Sequence, residues 1–316
     1  MTATAVRPNW HDLPVPTREA VVSLAGADVT AAESQGGGYT PGLATRLHLA
    51  DGSRLFVKGI ECGHPLSGTY RAEAELTAAL PNAAPTPGLR WTVHTGGWIV
   101  LAMDDIPGTT PDLAPGSPDL PAVVTAVTAL GATLTPSPVP DAPTVADALG
   151  PVLQGWTRLA DDTDADELDL DPWAAAHLGK LAGVERGWLD HAAGTTLVHG
   201  DLRADNLIVR AEDGTVAVVD WSYPHQGAAW IDAAALVPHL ILAGHTPDAA
   251  EKVVADIPAW RAAPAEALDA FAVACTGYWT RSARLAPPPG VPYLRGFQAR
   301  AAAAGLAWTR HRTGWT

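Results

Sequence analysis

Three polar residues with a fixed spacing, Asp201, Asn206 and Asp220, are the strongest candidates for chemistry in this 316-residue chain. Aspartate and asparagine supply the hard oxygen atoms that Mg²⁺ prefers, and a carboxylate can also accept the proton of an attacking hydroxyl group. Phosphoryl transfer requires these two functions. Any one of these residues alone would be typical of a turn residue that caps the local backbone. Their joint spacing favours the catalytic interpretation.

The segments around these residues predict how the three side chains converge. Residues 207–210 and 216–219 are strand-like runs, and the sequence Glu-Asp-Gly-Thr between them predicts a tight turn. A hairpin brings the residues before and after it to the same end, so Asp201, Asn206 and Asp220 are predicted to lie together. The first would accept the proton of the substrate, and the other two would hold a metal ion.

The sequence HGDLRADN, which begins at His199, resembles the catalytic loop of the aminoglycoside phosphotransferase family. The sequence VDW around Asp220 is similar to the metal-binding segment of that family. Protein kinases have an arginine at the position of Gly200, so this glycine indicates the branch that acts on small molecules. The resemblance extends from about residue 35 to about residue 243. It implies a protein-kinase-like fold, ATP or GTP as donor, Mg²⁺, and an alcohol group as acceptor.

The resemblance also gives expectations for three residues near the loop. Arg203 lies where protein kinases have a lysine that neutralises the transferring phosphate, so it is predicted to be catalytic. Asp232 matches an aspartate that braces the catalytic loop, which is a structural role. Asp205 departs from the glycine that usually precedes the metal-binding asparagine, and it could add negative charge toward a cationic substrate.

A lysine and a glutamate in the first part of the chain form a second candidate group. Lys58 ends the strand-like run Leu-Phe-Val-Lys, and the periodicity of residues 69–80 predicts a helix with Glu73 on its buried face. A buried carboxylate is costly without a partner, so Glu73 is predicted to pair with Lys58. The resemblance implies that Lys58 contacts the α- and β-phosphates of the nucleotide. The alternative for Lys58 is an ordinary surface lysine at a strand end.

Two further segments are candidates for nucleotide binding. Gly36, Gly37 and Gly38 precede the first predicted strand, where a loop that covers the nucleotide belongs. They depart from the Gly-x-Gly-x-x-Gly form of protein kinases and could equally form a flexible loop that does not touch phosphate. Residues 101–105 occupy the place of the hinge between the lobes. There the backbone groups of Asp104 and Ile106 would pair with the base.

The order of elements predicts an α+β fold with two lobes. Strands at residues 43–49, 54–58, 91–94 and 98–103, with the helix at 69–80, predict an antiparallel sheet with one helix. Beyond Met103, Pro-rich connections separate Ala- and Leu-rich helical stretches. We therefore assign residues 1–103 to an N-terminal nucleotide-binding lobe and residues 104–316 to a mainly helical C-terminal lobe that carries catalysis and substrate binding.

Predicted helices of the C-terminal lobe supply the remaining structure. Asp171 and Pro172 are predicted to start a helix whose buried side carries Leu178, Leu181, Trp188 and Leu189. Helices are also predicted at residues 249–254, 265–281 and 291–312. The resemblance implies that these last helices build most of the acceptor pocket, where no motif identifies individual residues.

Composition and charge exclude several classes of partner. The sequence has 20 Lys and Arg against 34 Asp and Glu, a net charge of −14, which disfavours nucleic acid and weakly favours a cationic substrate. Two cysteines are too few for a disulfide framework or a cysteine-rich zinc site. No apolar run is long enough to span a membrane, and no signal peptide is recognisable, so a cytoplasmic protein is predicted. Acidic residues between 161 and 171 form either a solvated loop or part of a cationic pocket.

The acceptor is left open by these observations. An aminoglycoside or a related cationic antibiotic is favoured. A metabolite kinase acting on choline, homoserine or a sugar, a macrolide kinase, and a peptide-antibiotic kinase are the alternatives within the enzyme class. A kinase-like module that binds a ligand without turnover is a further alternative. Such a module would normally have lost one of the five central residues, and all five are present here.

Overall fold

The computed structural model of this protein describes residues 5–161 and 169–316. Its strands, in chain order, are β1 (Val29–Ser34), β2 (Leu43–Leu49), β3 (Arg54–Glu61), β4 (Leu89–Thr95), β5 (Trp98–Asp104), β6 (Gly108–Thr109), β7 (Thr196–Val198), β8 (Leu207–Arg210), β9 (Val216–Val218) and β10 (His225–Gly227). Its helices are α1 (Val15–Ala25), α2 (Ser67–Ala79), α3 (Leu120–Thr133), α4 (Val145–Leu149), α5 (Gly155–Ala160), α6 (Pro172–Ala176), α7 (Leu178–Arg186), α8 (Ile231–Leu242), α9 (Pro247–Val254), α10 (Pro258–Ala262), α11 (Ala265–Ser282) and α12 (Leu294–Thr313). The predicted α+β class is confirmed.

The described residues divide into two compact units, and neither is a single continuous segment. The first unit contains the described residues up to Thr110 together with Asp205–Tyr223 and Pro288–Tyr293. The second unit contains the described residues of Pro111–Ala204, Pro224–Pro287 and Leu294–Thr316. The predicted lobes, residues 1–103 and 104–316, are a different way of dividing the chain, and they stay a prediction.

A five-stranded antiparallel sheet forms the body of the first unit, with the strand order β1-β2-β3-β5-β4. Successive side chains of β5 alternate between its two faces, as strand geometry requires. Trp98 and Val100 pack with residues of the N-terminal segment, whereas Ile99 and Leu101 pack with Tyr70 of α2. The sheet therefore has two apolar layers, and α2 covers one of them.

The predicted elements of this unit are confirmed, with small changes at their ends. The predicted strand at 54–58 continues to Glu61, and the predicted helix at 69–80 forms as α2. Three elements, α1, β1 and the two-residue strand β6, are not predicted from the sequence. Strand β1 lies at the sheet edge with its side chains half-buried or exposed, so it lacks the apolar alternation that indicates a strand. Helix α1 buries only Thr17 and Val21, which leaves a weak helical pattern.

A second sheet of the first unit has the order β6-β8-β9 and contains the predicted hairpin. The side chain of Asp213 fixes its turn by accepting hydrogen bonds from the amide (2.9 Å) and the hydroxyl (2.7 Å) of Thr215. Gly214 follows with a φ of 71°, which glycine adopts readily. At the edge of this sheet a Cβ on Gly108 would lie 2.0 Å from the carbonyl oxygen of Val209, so β6 can approach β8 only with glycine.

The second unit is mainly helical, and α11 runs through its centre. Most of the residues of α11 from Ala267 to Gly277 are buried, and small residues let neighbouring helices approach closely. A Cβ on Gly305 of α12 would lie 2.5 Å from the hydroxyl oxygen of Thr276. A Cβ on Gly155 of α5 would lie 1.9 Å from the carbonyl oxygen of Gly277. Helices α5, α11 and α12 are therefore fixed against one another by contacts that larger side chains would prevent.

The helix predicted to follow Asp171 is interrupted, which corrects that prediction. Asp171 does cap the start, because its side chain accepts hydrogen bonds from the amides of Trp173 and Ala174. Helix α6 ends at Ala176, because the next residue, His177, has a ψ of 8° and leaves the helical region. The chain continues as α7 and then as a 3-10 turn at Trp188–His191. Leu181 and Trp188 are buried as predicted, whereas Leu178 and Leu189 are only half-buried.

The three predicted C-terminal helices are present as α9, α11 and α12. Helix α12 begins at Leu294 and not at Val291, because Pro292 disfavours a helical backbone at the residue before it. Among the helices of the described residues, none is long and apolar enough to cross a membrane.

Candidate functional site

Lys58 is held in the first unit by two carboxylates. Strand β3 places its side chain on the same face as Ile60, toward α2, where Glu73 is fully buried. The Nζ atom of Lys58 donates to both oxygens of Glu73, at 2.7 and 2.6 Å, and to Oδ1 of Asp220 at 2.7 Å. The predicted pairing of Lys58 and Glu73 is therefore present, and the alternative of a surface lysine is wrong because Lys58 is buried.

Asp220 is held in an unusual backbone conformation beside this lysine. Its φ is 66°, in the left-handed region, where it is the one residue other than glycine in the described part of the chain. Aspartate tolerates this region better than most residues, and such strain is concentrated at functional sites. The hydroxyl of Ser222 donates to Asp220 Oδ1 at 2.6 Å and also lies 3.2 Å from Oε2 of Glu73. Ser222 therefore links the two carboxylates that contact Lys58.

The charges of this group are set by burial and by close partners. Burial by itself lowers the pKa of Lys58, but the attraction of Asp220 and Glu73 outweighs burial and raises it, so the ammonium stays charged. Burial raises the pKa of Glu73, and the nearby ammonium of Lys58 opposes that change. Burial also raises the pKa of Tyr70 to about 12, and the centre of its ring lies 5.6 Å from Nζ of Lys58. Tyr70 is therefore uncharged at neutral pH and packs beside Lys58.

Asn206 and Asp220 lie at the two ends of the β8-β9 hairpin. Asn206 is buried in a 3-10 turn directly before β8, and its carbonyl accepts a hydrogen bond of 2.9 Å from the amide of Val219. This bond ties Asn206 to the residue immediately before Asp220. The hairpin therefore brings the backbones that carry an amide oxygen and a carboxylate together, as the sequence predicts for this pair.

The other predicted nucleotide contacts also lie in the first unit. Gly36, Gly37 and Gly38 form the connection between β1 and β2, and Gly38 has a φ of 77°. Asp104 ends β5, and its amide donates to the carbonyl of Gly88 at 2.9 Å. A base that pairs with Asp104 would therefore use its carbonyl and not its amide. Ile106 is buried two residues later.

The loop that carries Asp201 lies in the second unit and is fixed through its backbone. Strand β7 leads directly into His199, and Gly200 turns the chain with a φ of 76°. The buried carboxylate of Asp232 accepts hydrogen bonds from the amides of His199 (2.8 Å) and Gly200 (3.0 Å). Burial raises the pKa of Asp232, and His199 and the two amide donors oppose that change. The structure thus gives Asp232 the bracing contacts that the sequence predicts.

Asp201 and Arg203 form an ion pair beside an aromatic patch. Nη1 of Arg203 lies 3.3 Å from Oδ2 of Asp201. Both side chains are partly exposed to solvent, that of Arg203 to 13% and that of Asp201 to 34%. The guanidinium of Arg203 lies over the ring of Phe297, at 5.7 Å from its centre. His239 stacks on Phe297 with a ring separation of 6.2 Å, and Trp279 meets His239 edge-on. We call Phe297, His239 and Trp279 the aromatic patch.

The structure brings together some predicted residues within each unit. Lys58, Glu73 and Asp220 are in direct contact in the first unit, and Asp201 and Arg203 are in contact in the second. The predicted convergence of Asp201 with the metal-binding pair involves residues of both units, so it stays a prediction.

Several residues of the site are not found by sequence reasoning. Ser222 could have been noticed from its place two residues after Asp220, where a hydroxyl can reach a neighbouring carboxylate. The aromatic patch carries no local signal, because its residues lie far along the chain from the motifs. The acidic residues between 161 and 171, predicted to form either a solvated loop or part of a cationic pocket, lie partly outside the described residues. Within the described part, Asp171 is engaged as a helix cap and with Arg310.

The α+β fold carries a lysine held by two carboxylates in the first unit and a paired aspartate and arginine in the second. A model of the phosphotransferase enzyme family matches residues 43–268, which is more than half of the chain. The chain belongs to this family, and it is an enzyme that transfers phosphate to a hydroxyl group of a small molecule. A search of curated proteins found no match.

Solved structures with similar folds include three small-molecule kinases. An aminoglycoside phosphotransferase from Alicyclobacillus acidocaldarius has a TM-score of 0.63 and 14% identity, over 94% of this chain and 95% of that chain. A macrolide 2'-phosphotransferase from Brachybacterium faecium has a TM-score of 0.52 and 18% identity, over 92% and 96%. An amicoumacin kinase, solved with AMP-PNP and Ca²⁺, has a TM-score of 0.54 and 10% identity, over 94% and 93%. At these identities the likeness establishes the fold alone.

Proposed function

We propose that this phosphotransferase moves the γ-phosphoryl group of ATP or GTP to a hydroxyl group of a small molecule, with Asp201 as the base. The observation that carries the proposal is the buried Lys58, held at 2.6 to 2.7 Å by Glu73 and Asp220. A lysine fixed by a helix glutamate is the arrangement by which kinase-like enzymes hold nucleotide phosphates. Gly36, Gly37, Gly38 and the backbone of Asp104 and Ile106 would complete the nucleotide site.

Asn206 and Asp220 would hold a divalent cation, for which we propose Mg²⁺. Their side chains offer an amide oxygen and a carboxylate, the hard donors that Mg²⁺ binds, and the strained backbone of Asp220 fixes one of them. Two protein ligands are sufficient, because Mg²⁺ usually takes its other ligands from phosphate oxygens and water. When bound, the ion would neutralise charge on the phosphates.

Asp201 and Arg203 would act on the acceptor. As the acceptor oxygen forms its bond to the γ-phosphorus, the bond from that phosphorus to the β-phosphate oxygen breaks and the nucleoside diphosphate leaves. The hydroxyl proton passes to the carboxylate of Asp201. Arg203, 3.3 Å from that carboxylate, would stabilise negative charge on the phosphoryl group during transfer. Asp232 would position this loop through the amides of His199 and Gly200.

For the acceptor we propose first a cationic antibiotic of the aminoglycoside type. The net charge of −14 supports this choice, since it attracts polycations to the surface. Asp205, at the start of the first unit's second segment, adds a carboxylate near the loop in sequence.

The aromatic patch supports a second candidate, an acceptor with an apolar face such as a macrolide. Phe297 and Trp279 are half-buried. The ring of Phe297 lies under the guanidinium of Arg203, which pairs with the proposed base Asp201, and His239 connects Phe297 to Trp279. Aromatic side chains contribute large apolar contact areas, and small-molecule sites are lined mostly by such groups. A polyamine would instead require several carboxylates around Asp201.

Phosphate transfer to a panel of acceptors tests the proposal. Aminoglycosides, macrolides, basic peptide antibiotics, choline, homoserine and simple sugars would each be incubated with ATP or GTP and Mg²⁺, and the phosphorylated product detected by mass spectrometry. We expect one class to be modified. Product from the aminoglycosides supports the first candidate, and product from the macrolides alone supports the second.

A variant at the metal site separates an enzyme from a binding module. Asp220→Ala should weaken Mg²⁺-nucleotide binding and abolish product formation, whereas Glu212→Ala, at an exposed carboxylate of the same hairpin turn, should change neither. Nucleotide binding by the wild-type protein without modification of any acceptor would favour the module. Normal nucleotide binding by Asp220→Ala would remove Asp220 from the metal site.

A further inference from the structure

The N-terminal segment of the first unit is fixed in place on both sides of Arg7. On one side, the amide of Val6 donates to the carbonyl of Gly290 at 2.8 Å. On the other side, the side chain of Asn9 accepts a hydrogen bond of 3.0 Å from the hydroxyl of Ser34, and Trp10 is buried in the sheet core. Because the backbone is fixed on both sides of Arg7, the direction in which its side chain leaves the backbone is also fixed. The segment is therefore able to hold Arg7 at one place in the first unit.

Arg7 points to the glycine-rich connection and to the lysine site. Its Nη2 atom donates to the carbonyl of Gly37, and a Cβ on Gly38 would lie 3.1 Å from the same nitrogen. Burial lowers the pKa of the Arg7 guanidinium, and the carboxylate of Asp220, which binds Lys58, opposes that change. The Nε atom of Arg7 is buried, and within the described residues it has no hydrogen-bond partner. A buried donor without a partner is costly, so this nitrogen is suited to a ligand acceptor.

The side-chain charges around Lys58 favour a further cationic side chain beside the nucleotide. The positive charge of Lys58 is shared between two carboxylates, Glu73 and Asp220, so these three groups carry one net negative charge. A nucleotide brings further negative charge on its phosphates. Three other arginines of the first unit are already paired with carboxylates: Arg46 and Arg54 with Asp105, and Arg90 with Asp104. Arg7 instead contacts the glycine-rich connection, through the carbonyl of Gly37.

We propose that Arg7 is a phosphate ligand of the nucleotide, supplied by the N-terminal segment to the site of Lys58. This inference rests on the proposed use of a nucleoside triphosphate. A guanidinium presents its donors as a planar fork, and it can bind a phosphate through Nε and one Nη while the other Nη keeps its bond to Gly37. The glycine-rich connection would then be fastened to the nucleotide through an arginine and not only through its own amides.

Nucleotide and nucleoside affinities, measured by calorimetry without any acceptor, test the proposal. The wild-type protein is titrated with ADP and GDP in the presence of Mg²⁺, and the tighter ligand is then compared with its nucleoside. For Arg7→Ala we expect the diphosphate to bind about 10- to 100-fold more weakly, since hydrogen bonds to charged groups contribute about that factor. The nucleoside should bind within about twofold of wild type, because it lacks phosphate.

Two further variants control for fold and for charge. Arg18→Ala is the matched control, because Arg18 also belongs to the N-terminal part and donates its Nε to a carbonyl, that of Leu13. It should leave both affinities unchanged. Arg7→Lys keeps the charge without the fork and should fall between wild type and Arg7→Ala. If Arg7→Ala weakened nucleoside and diphosphate equally, Arg7 would only hold the loop, and the proposal would be wrong.

The wild-type protein provides a test that does not depend on the folding of a variant. Phenylglyoxal modifies accessible arginines, and peptide mass spectrometry can follow Arg7 by itself. We expect the diphosphate to protect Arg7 and the nucleoside to leave its modification unchanged. Equal modification with both ligands would overturn the proposal, as would a failure of the wild-type protein to bind any nucleotide. Failure of the acceptor panel alone would count against the proposed acceptors and would leave these binding results intact.

Discussion

The lysine site of the first unit and the Asp201 loop of the second are held in place by opposite means. Side-chain ion pairs fix Lys58, which is buried together with Glu73. In the loop, the backbone is fixed by Asp232, while the side chains of Asp201 and Arg203 stay partly exposed. In the lysine site, therefore, the same side chains stabilise the structure and would contact the ligand. In the Asp201 loop, Asp232 stabilises the backbone, and different residues, Asp201 and Arg203, would contact the ligand.

This difference has an energetic consequence. Removing one partner of a buried ion pair leaves an uncompensated charge and costs about 3–5 kcal/mol, whereas exposed pairs contribute about 0–1 kcal/mol. Changes in the lysine site should therefore lower stability and ligand affinity together. Changes of Asp201 or Arg203 should lower activity and leave stability almost unchanged.

Asp201→Asn should give the largest effect, and on activity alone. The amide cannot accept the hydroxyl proton, so we expect turnover to fall by about 10³-fold, within the usual range for a lost general base. Nucleotide affinity and the midpoint of thermal unfolding should stay near their wild-type values. Steady-state phosphate transfer and calorimetric nucleotide binding measure the two quantities.

The control for this change is Asp256→Asn, at an exposed aspartate that lies 3.9 Å from Arg261. It should leave turnover, affinity and stability unaffected. Turnover by Asp201→Asn at a wild-type rate would exclude Asp201 as the base. A large drop in its unfolding midpoint would contradict the claim that the loop is stabilised through its backbone.

Lys58→Met should destabilise the protein more than Glu73→Gln. Without the lysine, two carboxylates face each other with no cation between them, which should cost about 3–5 kcal/mol. Without the charge of Glu73, Lys58 still contacts Asp220 at 2.7 Å, so the cost should be smaller, about 1–2 kcal/mol. Urea unfolding in the absence of nucleotide measures both values. Both variants should also weaken nucleotide binding.

An exposed lysine gives the reference for this pair of variants. Lys252 pairs with Asp248 one helical turn away on the surface of α9, so Lys252→Met should change stability by less than about 0.5 kcal/mol. Equal losses for Lys58→Met and Glu73→Gln would show that Asp220 does not compensate Lys58. The lysine site would then be a simple pair and not a group of three charges.

Local patterns allowed the central part of the site to be predicted. The hairpin that separates Asn206 from Asp220 is marked by its own turn residues, and strand alternation with helical periodicity directs Lys58 and Glu73 to one face. Each inference needs only neighbouring residues in the sequence. The fold class follows from the same signals, because the strands and helices that position these residues are strongly patterned.

The features that could not be predicted from the sequence depend on contacts between segments that are distant along the chain. Arg7 is 30 residues from Gly37, and nothing near it indicates that its side chain meets a glycine-rich connection. The aromatic patch combines side chains of α8, α11 and α12, which only the packing of the second unit brings together. The broken helix after Asp171 shows the same limit, since its apolar spacing continues across His177 while the backbone does not.

Asp232→Asn should lower turnover through the loop and leave the lysine site intact. The amide nitrogen of asparagine cannot accept a hydrogen bond, so one of the two amides of His199 and Gly200 would lose its acceptor. We expect turnover to fall by about 10- to 100-fold, with nucleotide affinity unchanged. A parallel loss of nucleotide affinity would mean that Asp232 supports more than the loop. Asp232→Glu, which keeps the charge, should recover part of the turnover if the carboxylate is what the loop requires.

The smallest expected effect is a pH dependence of stability that arises beside the loop. His225 lies on β10, which pairs with β7, and burial, with a contribution from His199, lowers its pKa from 6.5 to about 4. The unfolded chain therefore binds a proton between these values that the folded protein does not, so stability should fall as the pH decreases from 6.5 toward 4. Between pH 7 and pH 5 this group should remove up to about 2 kcal/mol, which His225→Phe should abolish in urea unfolding at both pH values. If the variant kept the same pH dependence as wild type, His225 would not be a buried neutral histidine in the folded protein. Of the contacts considered beside the Asp201 loop, only those of Asp232 would then remain.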